Sequence, residues 1–273
     1  MSVLLTLIRK HFSESRWLLG LSSLAFFALS IVTVWMASRF EKLFESGEIA
    51  SDPRRFGFLR GLGGANMDYS TTALEVCWWN HPVIVLTVLS WAISRGSGAV
   101  AGEIERGTID VTLSRPISRW TYLTSQILFA ILGLLILVSA LILGNLVGTP
   151  FFTLKSPPKL LTLVKPSAMM VAMGMAVFGY TIPFSTIDVV KWRPTLVSSA
   201  ATLVGLIGMS VAPQFEGYQW LEKFSVFQAY APVTVALKGE PLLFNSTVLL
   251  AVFSVGIALS YWNFARRDLP SNS

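Results

Sequence analysis

The 273-residue chain is 53% hydrophobic and only 13% charged, whereas a soluble globular domain carries about 25% charged residues. This excludes an ordinary water-soluble fold and places the chain in the membrane class. The net charge of +6 is explained by basic residues flanking membrane spans and makes no case for nucleic acid. A single cysteine excludes an intramolecular disulfide framework or a Cys-rich metal site.

In chain order, Ser2 to Arg16 carries Val3, Leu4, Leu7, Ile8 and Phe12 at helical spacing, with Arg9, Lys10 and Arg16 nearby. That is the pattern of a helix lying on the inner membrane surface. Six apolar stretches follow, at about 17–38, 76–100, 119–148, 166–187, 194–214 and 242–265. A bilayer core about 30 Å thick needs roughly 20 helical residues, so each stretch is expected to span. The first apolar run is too long for a signal-peptide core and has no A-x-A cleavage pattern after it, so it reads as a retained helix. The second has its core at Pro82 to Ser94 and starts at Trp78 and Trp79, a pairing suited to a membrane interface. Gly148-Thr149-Pro150 stops the third, and Pro183 is placed to kink the fourth.

Between these spans, Phe40 to Val76 forms a long outer loop. Tyr218 to Tyr230 places Trp220, Leu221, Phe224 and Phe227 on one face, an outer interfacial or re-entrant helix closed by Pro232. Basic residues near the span ends divide eleven to ten between the two sides, with the eleven in shorter connections. The positive-inside rule then puts both termini in the cytoplasm. The expected fold is an all-α integral membrane protein, a single domain over 1–273, in a bacterial plasma membrane.

The segment Ala101 to Gln126 breaks the apolar pattern. Glu103-Ile104-Glu105-Arg106 continues the second span, Gly107 interrupts it, and Thr108 is a good N-cap for a short helix with Asp110 in its first turn. Pro116 disfavours helix at Arg115, and Ser118 caps the third span at Arg119. The expected order is helix, break, short helix, break, helix. A knob that docks a soluble partner fits this pattern; so does a solvated loop with capping residues.

Gly102-Glu103, Glu105-Arg106-Gly107-Thr108, Leu113, Pro116 and Ser118-Arg119 together resemble the cytoplasmic motif of ABC-2 type exporter permeases. The ending Phe264-Ala265-Arg266-Arg267-Asp268-Leu269-Pro270 is similar to that of the same family. Size and layout are closest to the branch with multicopper-enzyme-maturation, sodium and antibiotic export permeases. The resemblance implies that the region from Glu103 to Arg115 is a coupling helix seated in a separate ATP-binding subunit. The residues serving that joint would be Glu103, Glu105, Arg106, Gly107, Thr108, Leu113, Arg115, Pro116 and Arg119. It also implies a second permease copy, lipid surroundings, no cofactor on this chain, and ATP with magnesium on the partner.

The residues themselves hold no G-x-x-x-x-G-K-[ST] loop to cradle phosphate. The Gly96 to Ala101 match to G-x-G-x-x-[GA] follows a membrane span, where small residues serve close helix packing. Cys77 and His81 could share a helix face, and Met169, Met170, Met173 and Met175 form a soft-ligand cluster that invites copper; Met is equally a filler of apolar interfaces. We expect no metal site. Glu75 and Arg95 bracket the second span. Asn245-Ser246-Thr247 fits a glycosylation acceptor but opens a span. An intramembrane enzyme would need converging catalytic groups, and only His11 and His81 offer an imidazole. A secondary transporter or channel usually keeps ionisable residues within its spans. An ABC-type subunit that passes force to an outer partner is a further alternative.

Overall fold

A computed structural model describes residues 3–45, 78–114, 116–154, 157–210, 225–237 and 242–267. Most of those residues are helical, with no strand among them. Apolar sequence in lipid dictates this, since only a helix satisfies every backbone group within its own segment.

The helices are α1 Val3–Glu45, α2 Pro82–Gly98, α3 Ala101–Glu105, α4 Thr108–Leu113, α5 Arg119–Gly148, α6 Leu160–Ile187, α7 Trp192–Ser210, α8 Pro232–Leu237 and α9 Leu242–Arg266. Four of them, α1, α5, α6 and α9, are long and apolar enough to cross a membrane. α2 and α7 are shorter, at 17 and 19 residues.

Several boundaries differ from expectation. The separate surface helix before the first span is not seen. α1 runs 43 residues without interruption, because Ser13 to Trp17 contains neither Gly nor Pro to break it. Its first turns are drawn into the protein, where Leu7 and His11 are buried. α2 begins at Pro82, not near 76. His81 caps it through Nδ1, which accepts from the Val83 amide, and Pro82 occupies the first helical position, where its missing N–H costs nothing. His81 thus follows a 3-10 turn, Trp78–Asn80; Cys77 and Glu75 lie outside the described residues. α6 starts at Leu160 and runs through Pro166. Around Pro232, Val226–Ala229 is a 3-10 turn and Pro232 opens α8; residues 218–224 lie outside the described part, as does most of 40–76.

α5 packs along α1, and α6 packs along α9 and α2. Tyr122, Phe129 and Leu137 of α5, Met169, Met173 and Phe178 of α6, and Ile84 and Val88 of α2 are core. Met170 is also fully buried, and Met175 packs on the core edge. The α6–α9 crossing brings backbones together: a Cβ added at Gly256 would fall inside the van der Waals shell of the Gly179 carbonyl. The outer faces are apolar, with Trp17 74%, Val204 71% and Leu243 82% exposed. An outward apolar face over polar residues inside, such as Ser30, Asn145 and Thr181, is a membrane arrangement.

Candidate coupling site at one end of the bundle

The segment that breaks the apolar pattern is built on a joint in the second helix. α2 stops at Gly98 and α3 starts at Ala101. In an uninterrupted helix the Ala101 amide would donate to the Ser97 carbonyl. Here the Ser185 hydroxyl stands between them: it accepts from the amides of Ala101 at 3.0 Å and Val100 at 3.1 Å, and donates to Ser97 O at 2.8 Å. Tyr122 closes the other side, donating to Ala99 O at 2.8 Å. A side chain inserted into the helical ladder bends it, and the Ser97 and Ala99 carbonyls and the Val100 and Ala101 amides find partners on α5 and α6.

α3 ends at a turn where Gly107 takes φ +67°, the left-handed region that favours glycine. Gly107 is the cap position of α4, and Thr108 is the first helical residue. Thr108 was expected to cap; its hydroxyl is instead directed to Glu103, with Oε2 at 2.7 Å and the backbone oxygen at 3.2 Å. Asp110 does lie in the first turn of α4.

Glu103 is the buried centre of the element, with a side chain 3% exposed. Besides Thr108 it is met by Arg106 and by Lys10, whose Nζ lies 3.4 Å away. Burial alone pushes its carboxyl up, but the Thr108 hydroxyl, Lys10 and Arg106 together outweigh that and hold it below the ordinary carboxylate range. Lys10 also reaches Thr112 at 3.5 Å. The N-terminal turns of α1 thus clasp both α3 and α4.

The remaining expected site residues fall in different places. Glu105 is exposed and accepts the Lys191 amide at 2.9 Å, joining α3 to the turn before α7. The Arg106 side chain is 55% exposed, Pro116 is exposed, and Leu113 is the last residue of α4. Arg115 lies outside the described residues. Ser118 caps α5, accepting from Thr121 N at 3.0 Å. Arg119 leaves the cluster for the end of α9, donating to Phe264 O at 3.1 Å and Arg267 O at 2.6 Å. Arg267 donates to Thr186 O at 2.7 Å and Asp188 O at 2.8 Å, at the end of α6. Cationic side chains on free carbonyls at helix C-termini are favoured by the helix dipole.

Sequence reasoning missed Lys10, His11, Tyr122, Ser185 and Arg267. A serine at a helix interior carries no signal of what another helix will present to it. Lys10 was placed at the membrane surface, since nothing in its neighbours reports a carboxylate 93 residues away. The Arg267 stretch was noticed only for its similarity to a family ending.

Together these contacts collect the ends of α2, α5, α6 and α9 and the start of α1 around one outward knob. α4 carries Val111, 67% exposed, on an open groove that it shares with Val3 and Leu7 of α1. The arrangement has the form of a mechanical joint; the side chains it gathers are structural cations, carboxylates and hydroxyls.

No curated protein matches the chain at the level of whole-sequence comparison. The family described as ABC-2 family transporter protein matches residues 9–269. With that match over nearly the whole chain, and apolar helices long enough to cross a bilayer, the protein belongs to the ABC-2 transporter family and is an integral membrane subunit of an ABC transporter.

Proposed function

We propose that the chain is the permease subunit of an exporter, driven by ATP and magnesium bound to a separate subunit that docks on the 103–115 region. The family pairs its membrane subunits with ATP-binding subunits in general, and this sequence has no phosphate-cradling loop of its own. In this reading α2 and α7 complete a set of six spans, both termini face the cytoplasm of a bacterial plasma membrane, and a second permease copy completes the complex.

The observation that carries the proposal is the construction of α4. A six-residue helix has too few internal hydrogen bonds to persist alone. Here it is fixed at its base by Thr108 and Thr112, through Glu103 and Lys10, and it holds Val111 outward. An exposed apolar side chain on an anchored short helix, with Arg106 exposed just before that helix, suits a soluble partner better than a solvated loop. Glu103 positions this surface from within, while Arg106, Asp110 and Val111 face the partner.

The test is co-purification of the permease with the ATP-binding subunit. Val111→Asp is expected to release that subunit while the permease keeps its thermal midpoint; Arg106→Ala, which also removes a partner of buried Glu103, is expected to release it with a lowered midpoint. Full retention of both binding and coupled ATP hydrolysis in the double variant would remove the joint from this surface.

A further inference from the structure

Between α1, α2, α3 and the start of α5 lies a cavity of about 350 Å³. Its wall is polar: His11, Glu14 and Ser15 from α1, Arg95 from α2, Glu103 and Arg106 beyond the joint, and Gln126 from α5. Most of these groups are already engaged. Glu103 accepts from Thr108, Arg106 and Lys10. The Ser125 hydroxyl donates to Tyr122 O at 2.6 Å, so at 3.3 Å it accepts from His11 Nε2–H; Gln126 donates to the Tyr122 hydroxyl.

Arg95 is different. A guanidinium has five N–H donors in one plane. One of them, on Nη1, reaches Ser15 Oγ at 2.7 Å. The plane is covered by aromatic rings, with Trp91 and Phe129 centroids 5.2 and 5.8 Å from Cζ. Nε is buried with no acceptor and is closed to the cavity; among the described residues Nη2 has no acceptor and Arg95 forms no ion pair within 4.0 Å. A cation with rings over its faces and an unpaired Nη2 is satisfied best by an anion such as phosphate.

We propose that this cavity is a binding site for a phosphate group, held by the Nη groups of Arg95 between α1 and α2. The same chemistry is offered by the headgroup of an anionic inner-leaflet phospholipid and by free phosphate. His11, Ser15, Thr108 and Gln126 supply neutral groups, and Arg106 and Glu103 add a cation and an opposing carboxylate that are paired with each other. Glu14 stands at the rim, 47% exposed, and its charge opposes the ligand. The site shares Arg106 with the surface proposed for docking, but its argument does not rest on that reading.

The full chain, purified in a nonionic detergent, would be titrated with inorganic phosphate, phosphatidylglycerol, phosphatidylcholine and, at matched ionic strength, sodium chloride. Thermal midpoint and native mass spectrometry would be the readouts. Phosphatidylglycerol or phosphate raises the midpoint and binds; phosphatidylcholine and chloride do not. A response to the lipid alone identifies a headgroup, and a response to phosphate alone a soluble ligand. Arg95→Gln weakens binding about tenfold or more, the loss of a charge-assisted pair. Glu14→Gln strengthens it about two- to fivefold, by removing one exposed like charge. Should Arg95→Gln fail to fold, the half-exposed Glu14→Gln decides. No response beyond the controls, or a Glu14→Gln affinity that stays equal or falls, overturns the proposal.

Discussion

Arg119, at the first position of α5, donates from Nη1 to the main-chain oxygen of Arg267 at 2.6 Å, and the Arg267 side chain passes on to the carbonyls of Thr186 and Asp188. Three helix ends are joined by two side chains. A hydrogen bond to a charged group contributes about 1.5–3 kcal/mol. Arg267→Ala is therefore expected to lower the thermal midpoint and to reduce ATP hydrolysis coupled to transport more than binding of the ATP-binding subunit. Arg267→Lys keeps the charge but loses the planar fork, and should fall between. Equal loss of coupling and binding would show that the link only supports the fold.

Glu103 makes stability depend on acid. Its folded-state value lies below the ordinary 4.5, so its contribution is complete above the unfolded value and disappears as pH falls through the lower folded one. The wild-type thermal midpoint should drop in that acid range. Glu103→Gln should start lower at neutral pH and lose less on acidification. Parallel pH profiles for the two proteins would contradict the assignment.

Gly107 separates backbone strain from packing. A Cβ there meets nothing within 4 Å, but the φ of +67° is unfavourable for any side chain. Gly107→Ala should cost about 1 kcal/mol, the left-handed penalty of an L-residue, and Gly107→Asn less. Hydrogen exchange of the α4 amides reads this directly: faster exchange in the Ala variant is expected, and unchanged exchange would refute it.

Gly256 and Gly20 form the matching contrast inside the spans. At Gly256 an added Cβ would collide with backbone of Gly179, which cannot swing aside, while at Gly20 it meets nothing within 4 Å. Gly256→Ala should destabilise by about 1–3 kcal/mol through overpacking; Gly20→Ala should be neutral or slightly stabilising. Thermal midpoints in detergent check both, and similar values for the two variants would mean that the α6–α9 crossing is looser than described.

Much of this was legible because it is local. Ser118 announces α5 and Gly148 ends it, and both ends fall where the sequence places them. Gly107 and Pro116 bracket the short helix because a positive φ and a missing amide act on their own neighbours. What was not legible depends on partners distant in sequence. Thr108 has the chemistry of a cap, but Glu103 competes for its hydroxyl. The α1 surface helix was drawn from amphipathic spacing, and the same spacing lets Leu7 and Lys10 face α3 and α4. Arg95 looked like the end of a span, and only the fold shows Trp91 and Phe129 against it.

The joint between α2 and α3 carries a further consequence. Its bend is not written in the second helix, since Ser97 to Ala101 could continue as an ordinary helical turn. Ser185, from α6, takes the place of one rung. Removing that hydroxyl leaves two buried amides whose acceptors in a regular helix are Gly96 O and Ser97 O, so the chain would satisfy itself by straightening. The direction in which the knob projects is thus set by a helix 84 residues away in sequence, and a one-atom change on α6 would re-aim it.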